Sequence, residues 1–171
     1  MTNINSVTDP EARRFLHSFL LNRKINEEIY KRIPEDKLDF RMVDNPTRKS
    51  DSPRESLIHQ ISVTRNYILG ITSGKLRFGQ KYSQAFSQPE KMSKQELLAV
   101  LTLTIEELIQ TLSDPNISQK KVRVPWSKIP IPAIQTLWSL NNHEILHTGW
   151  NLALMDHLGI ERFPQLRQMW G

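Results

Sequence analysis

The sequence predicts an all-α fold, a four-helix bundle with long connections. Four segments place apolar residues at intervals of three and four, the spacing that gives a helix one apolar face. Three of these segments begin with a residue that caps a helix, followed by proline or glutamate in the first turn. Only residues 121–124 alternate as a strand does, and one short strand is weak support for a sheet. We therefore expect a single bundle domain over residues 1–171.

The composition fits a globular protein that has no thiol of its own. A chain of 171 residues can bury a substantial core, and its 38% hydrophobic and 24% charged residues argue against disorder. The absence of cysteine excludes disulfides, thiolate metal ligands and a cysteine nucleophile. Any bound metal must therefore be held by histidine, aspartate, glutamate or water.

Two further observations concern membranes and nucleic acids. No apolar run is long enough to span a bilayer, and residues 1–15 show no basic start followed by an apolar run. The sequence therefore predicts a cytoplasmic protein without a membrane partner. The net charge is +5, but lysines and arginines are scattered along the chain, which favours a solvated basic surface over a nucleic-acid-binding face. Nucleic acid is therefore not an expected partner.

The first helix is predicted to begin at Thr8 or Asp9, because either side chain can cap the N-terminus and a proline follows in the first turn. Apolar residues then recur at helical spacing until Pro34, which ends the helix. Residues 34–51 contain two prolines and a polar run, so we expect an irregular connection there.

The second and third helices each begin with a capping box, in which a serine and a glutamate three residues later bond to each other's backbone N–H. The box at Ser52 starts the second helix, which should end near residues 70–74. The box at Ser93 starts the third helix, which a turn at residues 114–116 ends. Residues 75–91 between them are rich in Gln, Ser, Gly and Lys and predict a loop.

The fourth helix covers residues 132–159 and carries the most informative feature of the chain. A helical wheel places six of its residues on one face: Leu140, His143, His147, Trp150, Leu154 and Leu158. The two histidines are four residues apart, so they project from adjacent turns and can share one metal ion. The alternative is that both are hydrogen-bonded core histidines. His59 on the second helix lies off the densest apolar arc, so periodicity alone does not identify it as a ligand.

Two sequence blocks resemble the DinB/YfiT-like family. They are TLWSLNNHEILHTGWN at residues 136–151 and SLIHQISVTRNYILGI at residues 56–71. The resemblance covers nearly the whole chain and implies an up-down-down-up bundle that is often dimeric. It also implies a divalent metal, such as zinc or nickel, held by His59, His143 and His147. By this resemblance His17 and His157 lie outside the site.

The resemblance also implies a class of reaction. Characterised relatives include thiol S-transferases that use a low-molecular-weight thiol, and a thiol-dependent isomerase. Three imidazoles leave a coordination position open, where a bound water or thiol is acidified. We therefore expect a metal-dependent transferase acting on a small thiol and a small electrophilic substrate. The alternatives are a non-catalytic, stress-related bundle that binds a metal, ligand or partner, and a metallohydrolase.

Glu144 is a candidate acid or base, because residues 143–147 match the H-E-x-x-H pattern of zinc proteases. The longer metzincin pattern would need glycine at Trp150 and histidine at Ala153, and neither is present. The wheel places Glu144 off the histidine face, which favours instead a solvated side chain or a salt bridge between helices.

Three asparagines flank the histidine pair, at positions 141, 142 and 151. Each is a candidate for orienting an imidazole ring by a hydrogen bond, as outer partners of metal ligands do. The equally favoured alternative is that they are polar residues of the helix surface.

Overall fold

The computed structural model describes residues 4–78 and 86–170 and is mainly helical. Its α-helices are α1 (Pro10–Arg32), α2 (Pro53–Ser73), α3 (Lys94–Leu112), α4 (Ala133–Leu158) and α5 (Pro164–Trp170). Two short antiparallel ladders pair β1 (Asp44–Asn45) with β2 (Arg48–Lys49) and β3 (Lys121–Val122) with β4 (Ile131–Pro132). The predicted all-α class is confirmed. In the described ranges, no helix is long and apolar enough to cross a bilayer.

The helix N-termini are capped where the sequence predicts. Asp9, rather than Thr8, accepts the backbone N–H of Ala12 at 2.8 Å and starts α1. Both capping boxes are present, at Ser52 for α2 and at Ser93 for α3. Each cap stabilises its helix by about 1 kcal/mol, because it satisfies N–H groups that have no partner inside the helix.

Glycines shape the C-terminal ends of α2 and α4. Gly74 and Gly159 adopt the left-handed conformation, with φ of 74° and 66°, and end these helices as predicted. Gly70 serves another purpose inside α2. A Cβ atom there would lie 3.0 Å from Leu76, so glycine lets the segment that follows α2 pack against the helix.

Two predicted connections contain more structure than expected. Residues 34–51 hold a 3₁₀ turn (Glu35–Lys37) and the β1–β2 ladder, so the connection is not wholly irregular. The predicted strand is not alone, because β3 pairs with β4. A 3₁₀ turn (Pro89–Lys91) lies in the predicted loop 75–91, of which residues 79–85 fall outside the described residues.

The core consists of two apolar clusters. The first apolar cluster joins the beginnings of α1 and α4 to the ends of α2 and α3. The second apolar cluster joins the end of α1 and α4 to the beginnings of α2 and α3. Phe163 and Leu166, which follow α4 in the sequence, also pack into this second cluster.

A layer of buried polar side chains lies at the level where the two apolar clusters meet, and we call it the polar layer. Its members are Asn22, Arg23, Asn26, Gln60, Thr64, Thr104, Asn141, Glu144, Thr148 and Asn151. Arg23 of α1 donates to Glu144 of α4 at 2.7 Å and to Thr64 of α2 at 2.6 Å. It also donates to Thr104 of α3 at 3.3 Å, so one side chain connects all four long helices.

Candidate metal centre

Three histidines meet at the surface where α2 packs against α4. The Nε2 atom of His143 lies 3.0 Å from Nε2 of His59 and 3.3 Å from Nε2 of His147. One ligand atom from each residue lies within 4.8 Å of the other two. Nitrogens bound to one zinc ion at about 2.0–2.1 Å are separated by roughly 3.3 Å in tetrahedral geometry. The three predicted residues therefore have the spacing of a metal site.

The cluster is open on one side. His59 is exposed, whereas His143 and His147 are half-buried. A groove of about 270 Å³ adjoins His59, and its lining residues are Glu55, Ile58, His59, Ser62, Pro89 and Glu90. A metal held by three protein ligands with an open side is the arrangement of a catalytic site, since a structural site is closed by a fourth ligand.

The histidines occupy the edge of the buried face of α4, not its centre. The predicted stripe is correct for Leu140 and Leu154, which are buried, but Trp150 and Leu158 are only partly buried. The centre of the buried face passes through polar residues instead, including Glu144 and Thr148. The prediction failed here because polar side chains that find partners inside the bundle look, in the sequence, like surface residues.

The two clustered histidines of α4, His143 and His147, are neutral at physiological pH. Burial lowers the pKa of His143 to about 4, and its electrostatic interactions with His59 and Arg23 lower it further. Burial also lowers the pKa of His147 to about 3, with the neighbouring histidines and Arg23 contributing. A neutral imidazole keeps a lone pair for a metal, so the donor set fits a divalent transition ion.

Hydrogen bonds from behind hold the ring of His147. Its Nδ1 atom lies 2.9 Å from Oγ of Ser56, which also accepts the hydroxyl of Tyr30 at 2.9 Å. Gln60 donates to that Tyr30 oxygen at 2.8 Å. Tyr30 is buried, which raises the pKa of its phenol and keeps it a donor. Sequence reasoning missed this chain of contacts, although Ser56 lies three residues before His59 on α2.

The asparagines do not orient the histidines. Asn141 accepts from Asn22 at 3.0 Å, and Asn151 donates to Asn26 at 3.0 Å, so both bond to α1. Both are buried, and the interpretation of them as surface residues was wrong. Asn142 is exposed, as that interpretation requires.

Glu144 lies in the polar layer and is completely buried. Its Oε1 atom accepts from Arg23 at 2.7 Å and its Oε2 atom accepts from Asn26 at 3.1 Å. The predicted salt bridge between helices is confirmed, and the solvated alternative is wrong. The acid or base role of Glu144 stays a prediction, and both carboxylate oxygens already have partners.

The other histidines of the described chain lie elsewhere. His17 is exposed on α1. His157 is exposed near the end of α4, where its ring stacks on Phe40 at a centroid distance of 5.4 Å. Neither belongs to the group of three.

Comparison with known proteins agrees with this architecture. The family model described as the DinB family matches residues 1–166. The crystal structure of the DinB-like protein YjoA from Bacillus subtilis has 16% sequence identity and a TM-score of 0.65, over 88% of this chain and 96% of that one. At this identity the likeness shows the fold alone. No curated protein matches the chain significantly.

Proposed function

Because this chain belongs to the DinB family, we propose that it is a cytoplasmic enzyme that depends on a divalent metal. His59, His143 and His147 would hold the ion, and zinc and nickel suit their nitrogen donors. The observation that supports this most is the convergence of the three Nε2 atoms, at 3.0 and 3.3 Å from His143. Hydrogen bonds among the three Nε2 atoms cannot satisfy all of them at this spacing, whereas one cation can bind all three.

The chain's own residues prepare the site before a substrate arrives. The Oγ atom of Ser56 lies 2.9 Å from Nδ1 of His147. With a metal ion on Nε2, the proton of this ring is on Nδ1 and is donated to Ser56, which holds the ring in place. The buried phenol of Tyr30 holds Ser56 in turn, so the ring position is set by the interior of the bundle. A divalent ion bound there supplies Lewis acidity, which lowers the pKa of a coordinated water or thiol.

We propose that the reaction is the transfer of a low-molecular-weight thiol to a small electrophilic substrate. The chain has no cysteine, so the thiol must come from a cosubstrate. The exposed edge at His59 and the adjoining groove of about 270 Å³ provide space that suits small molecules. The site therefore accepts both reactants from solvent.

One observation favours a second candidate, a non-catalytic metal-binding bundle with a role in stress. Within the described ranges, no aspartate or glutamate forms a hydrogen bond or ion pair with any of the three histidines, and Glu144 is engaged by Arg23. A site whose histidines have no carboxylate partner depends more on the metal and the substrate for proton transfer. This same observation weighs against the third candidate, a metallohydrolase that uses Glu144 as base.

The test begins with element analysis of the purified protein. The proposal expects a near-stoichiometric transition metal in the wild type and its loss in His143→Ala. Consumption of an electrophile such as monochlorobimane is then followed with each of several added thiols and with none. Thiol-dependent turnover supports the transferase, thiol-independent hydrolysis supports the metallohydrolase, and bound metal without turnover supports the non-catalytic bundle.

We further infer that the four long helices form one domain in up-down-down-up order. α1 and α4 begin in the first apolar cluster and end in the second, whereas α2 and α3 run the opposite way. In this arrangement α2 and α4 contact each other. Their contact places His59 of α2 next to His143 and His147 of α4.

We also propose that the chain forms a homodimer through helix surfaces, as its family resemblance implies. Leu69 of α2 and Leu103 of α3 are exposed and border a groove of about 660 Å³. Exposed apolar surface of this kind is often covered on association. Light scattering at micromolar concentration tests the assembly, and a monomer there rejects it.

A further inference from the structure

A basic cleft lies at the far end of α2 from the histidines. Four cations line it, and we call them the cleft cations: Lys75, Arg77, Arg123 and Lys128. Lys75 follows His59 by 16 residues, most of them in α2, which corresponds to about 24 Å along a helix. The cleft is therefore separate from the candidate metal centre.

Buried and exposed residues alternate along the two segments that carry the cleft cations. Leu76 and Val124 are buried in the first apolar cluster, while their neighbours Lys75, Arg77 and Arg123 are exposed. In extended chain, successive side chains point to opposite sides, so anchoring the apolar residues turns the cations outward. The two segments are pinned together, because Leu76 N–H donates to the carbonyl of Arg123 at 2.9 Å.

No carboxylate neutralises the cleft cations. None of the four forms an ion pair within the described residues. The sequence explains this, because it has no aspartate or glutamate in residues 56–89 or in residues 115–143. Four basic residues from two separate parts of the sequence thus gather in one cleft.

Unneutralised like charges in one cleft raise the free energy of the folded protein, and a bound anion relieves that repulsion. The cleft has a volume of about 600 Å³, within the range of small-molecule pockets. Arg77 and Arg123 offer planar guanidinium groups, which bind phosphate oxygens in pairs. A phosphate monoester carries a charge of about −1.5 to −2 at pH 7, which suits several cations at once.

We propose that the cleft cations form a binding site for a small organic phosphate. The concave shape favours a small ligand over a nucleic acid, which is bound along an extended basic stripe or groove. The site is independent of the proposed metal chemistry, and ligand bound there stabilises the folded chain from the end of the bundle opposite α5.

The experiment titrates the full chain with glycerol 3-phosphate at constant ionic strength, by calorimetry and by thermal melting. Wild type should bind saturably and melt at a higher temperature with ligand. The double variant Arg77→Gln/Arg123→Gln should bind at least about tenfold more weakly, a loss of about 1.4 kcal/mol. The control Lys24→Gln/Lys91→Gln removes the same charge from exposed positions outside the cleft and should bind as wild type does.

Several results would overturn the proposal. One is a wild-type chain that shows no saturable binding of glycerol 3-phosphate, and another is equal weakening in the cleft and control variants. A 20-nucleotide single strand that binds through the same arginines far more tightly than glycerol 3-phosphate would show a nucleic-acid surface instead. If the arginine variant misfolds, Lys75→Gln/Lys128→Gln should show the same loss. Loss of binding in His147→Ala alone would place the phosphate at the histidines.

Discussion

His143 and Glu144 are adjacent in the sequence, yet they belong to two regions of opposite character. His143 lies in the surface cluster, where nitrogens of three histidines face one another at 3.0 and 3.3 Å. Glu144 lies in the polar layer, where Arg23 and Asn26 satisfy both of its oxygens. Converging groups with unmet bonding capacity mark a site for a ligand. Buried polar groups that bond to each other, such as Glu144 and Arg23, instead hold neighbouring helices in register.

The energetic roles of the two regions differ accordingly. Removing one partner of a buried ion pair leaves an uncompensated charge inside the protein, which is costly. Removing one histidine from the surface cluster leaves no such charge, because His143 and His147 are neutral at pH 7. Mutations in the polar layer should therefore change folding, and mutations in the cluster should change metal binding.

The largest effect is expected for Glu144→Ala. This change leaves the guanidinium of Arg23 buried and unpaired, and should lower the free energy of unfolding by about 3–5 kcal/mol. Urea denaturation measures the loss, with Glu106→Ala, an exposed position on α3, as control. If Glu144→Ala and Glu106→Ala have the same free energy of unfolding, the polar layer does not have the stabilising role assigned to it. A fully stable Glu144→Gln that loses turnover would also contradict that role, since that result would favour an acid or base role.

The second effect concerns His147→Ala, which should abolish metal binding but leave a folded bundle. A ligand that binds only the folded state adds about 2.7 kcal/mol of stability at a concentration 100 times its dissociation constant. Wild type should therefore melt at a higher temperature with zinc than after chelation, whereas the variant should melt at one temperature in both. The prediction is wrong if the variant is unfolded and the melting temperature of the wild type does not change on chelation. His147 would then be a structural residue.

A smaller effect is expected for Ser56→Ala, which removes the partner of His147 Nδ1. Loss of such an outer hydrogen bond typically weakens metal binding about 10- to 100-fold. Competition with a coloured chelator measures the affinity. The matched control is Ser62→Ala, whose hydroxyl bonds only to the backbone of Ile58 among the described residues. If the two variants bind metal equally well, the hydrogen bond from Ser56 does not contribute to positioning the ring of His147.

A last prediction concerns the pH dependence of the metal-free protein. Unfolded histidine has a pKa of about 6.5, whereas the folded pKa is about 4 for His143 and about 3 for His147. The unfolded state therefore binds protons first as pH falls, so stability should decrease from about pH 6.5 down to about pH 3. The double variant His143→Gln/His147→Gln should show a flatter curve between these values. The exposed pair His17→Gln/His157→Gln should leave the wild-type slope in place.

The residues of each short segment determined much of this protein on their own. The caps at Ser52 and Ser93, the helix ends at Gly74 and Gly159, and the pairing of His143 with His147 all follow from residues within four positions. Capping and helical periodicity are local effects, because they depend on backbone groups and side chains one turn apart. For that reason the all-α class and two of the three clustered histidines are predictable from spacing.

Only the tertiary structure decided which side of α4 is buried. Periodicity sorts residues by polarity, so it allowed a solvated position for both Glu144 and Asn151, and it did not identify their partners on α1. The contact of Ser56 with His147 joins residues 91 positions apart, and the basic cleft joins two segments that follow different elements. Burial of a polar group becomes favourable only when its partner is supplied, and here the partner comes from a distant part of the chain.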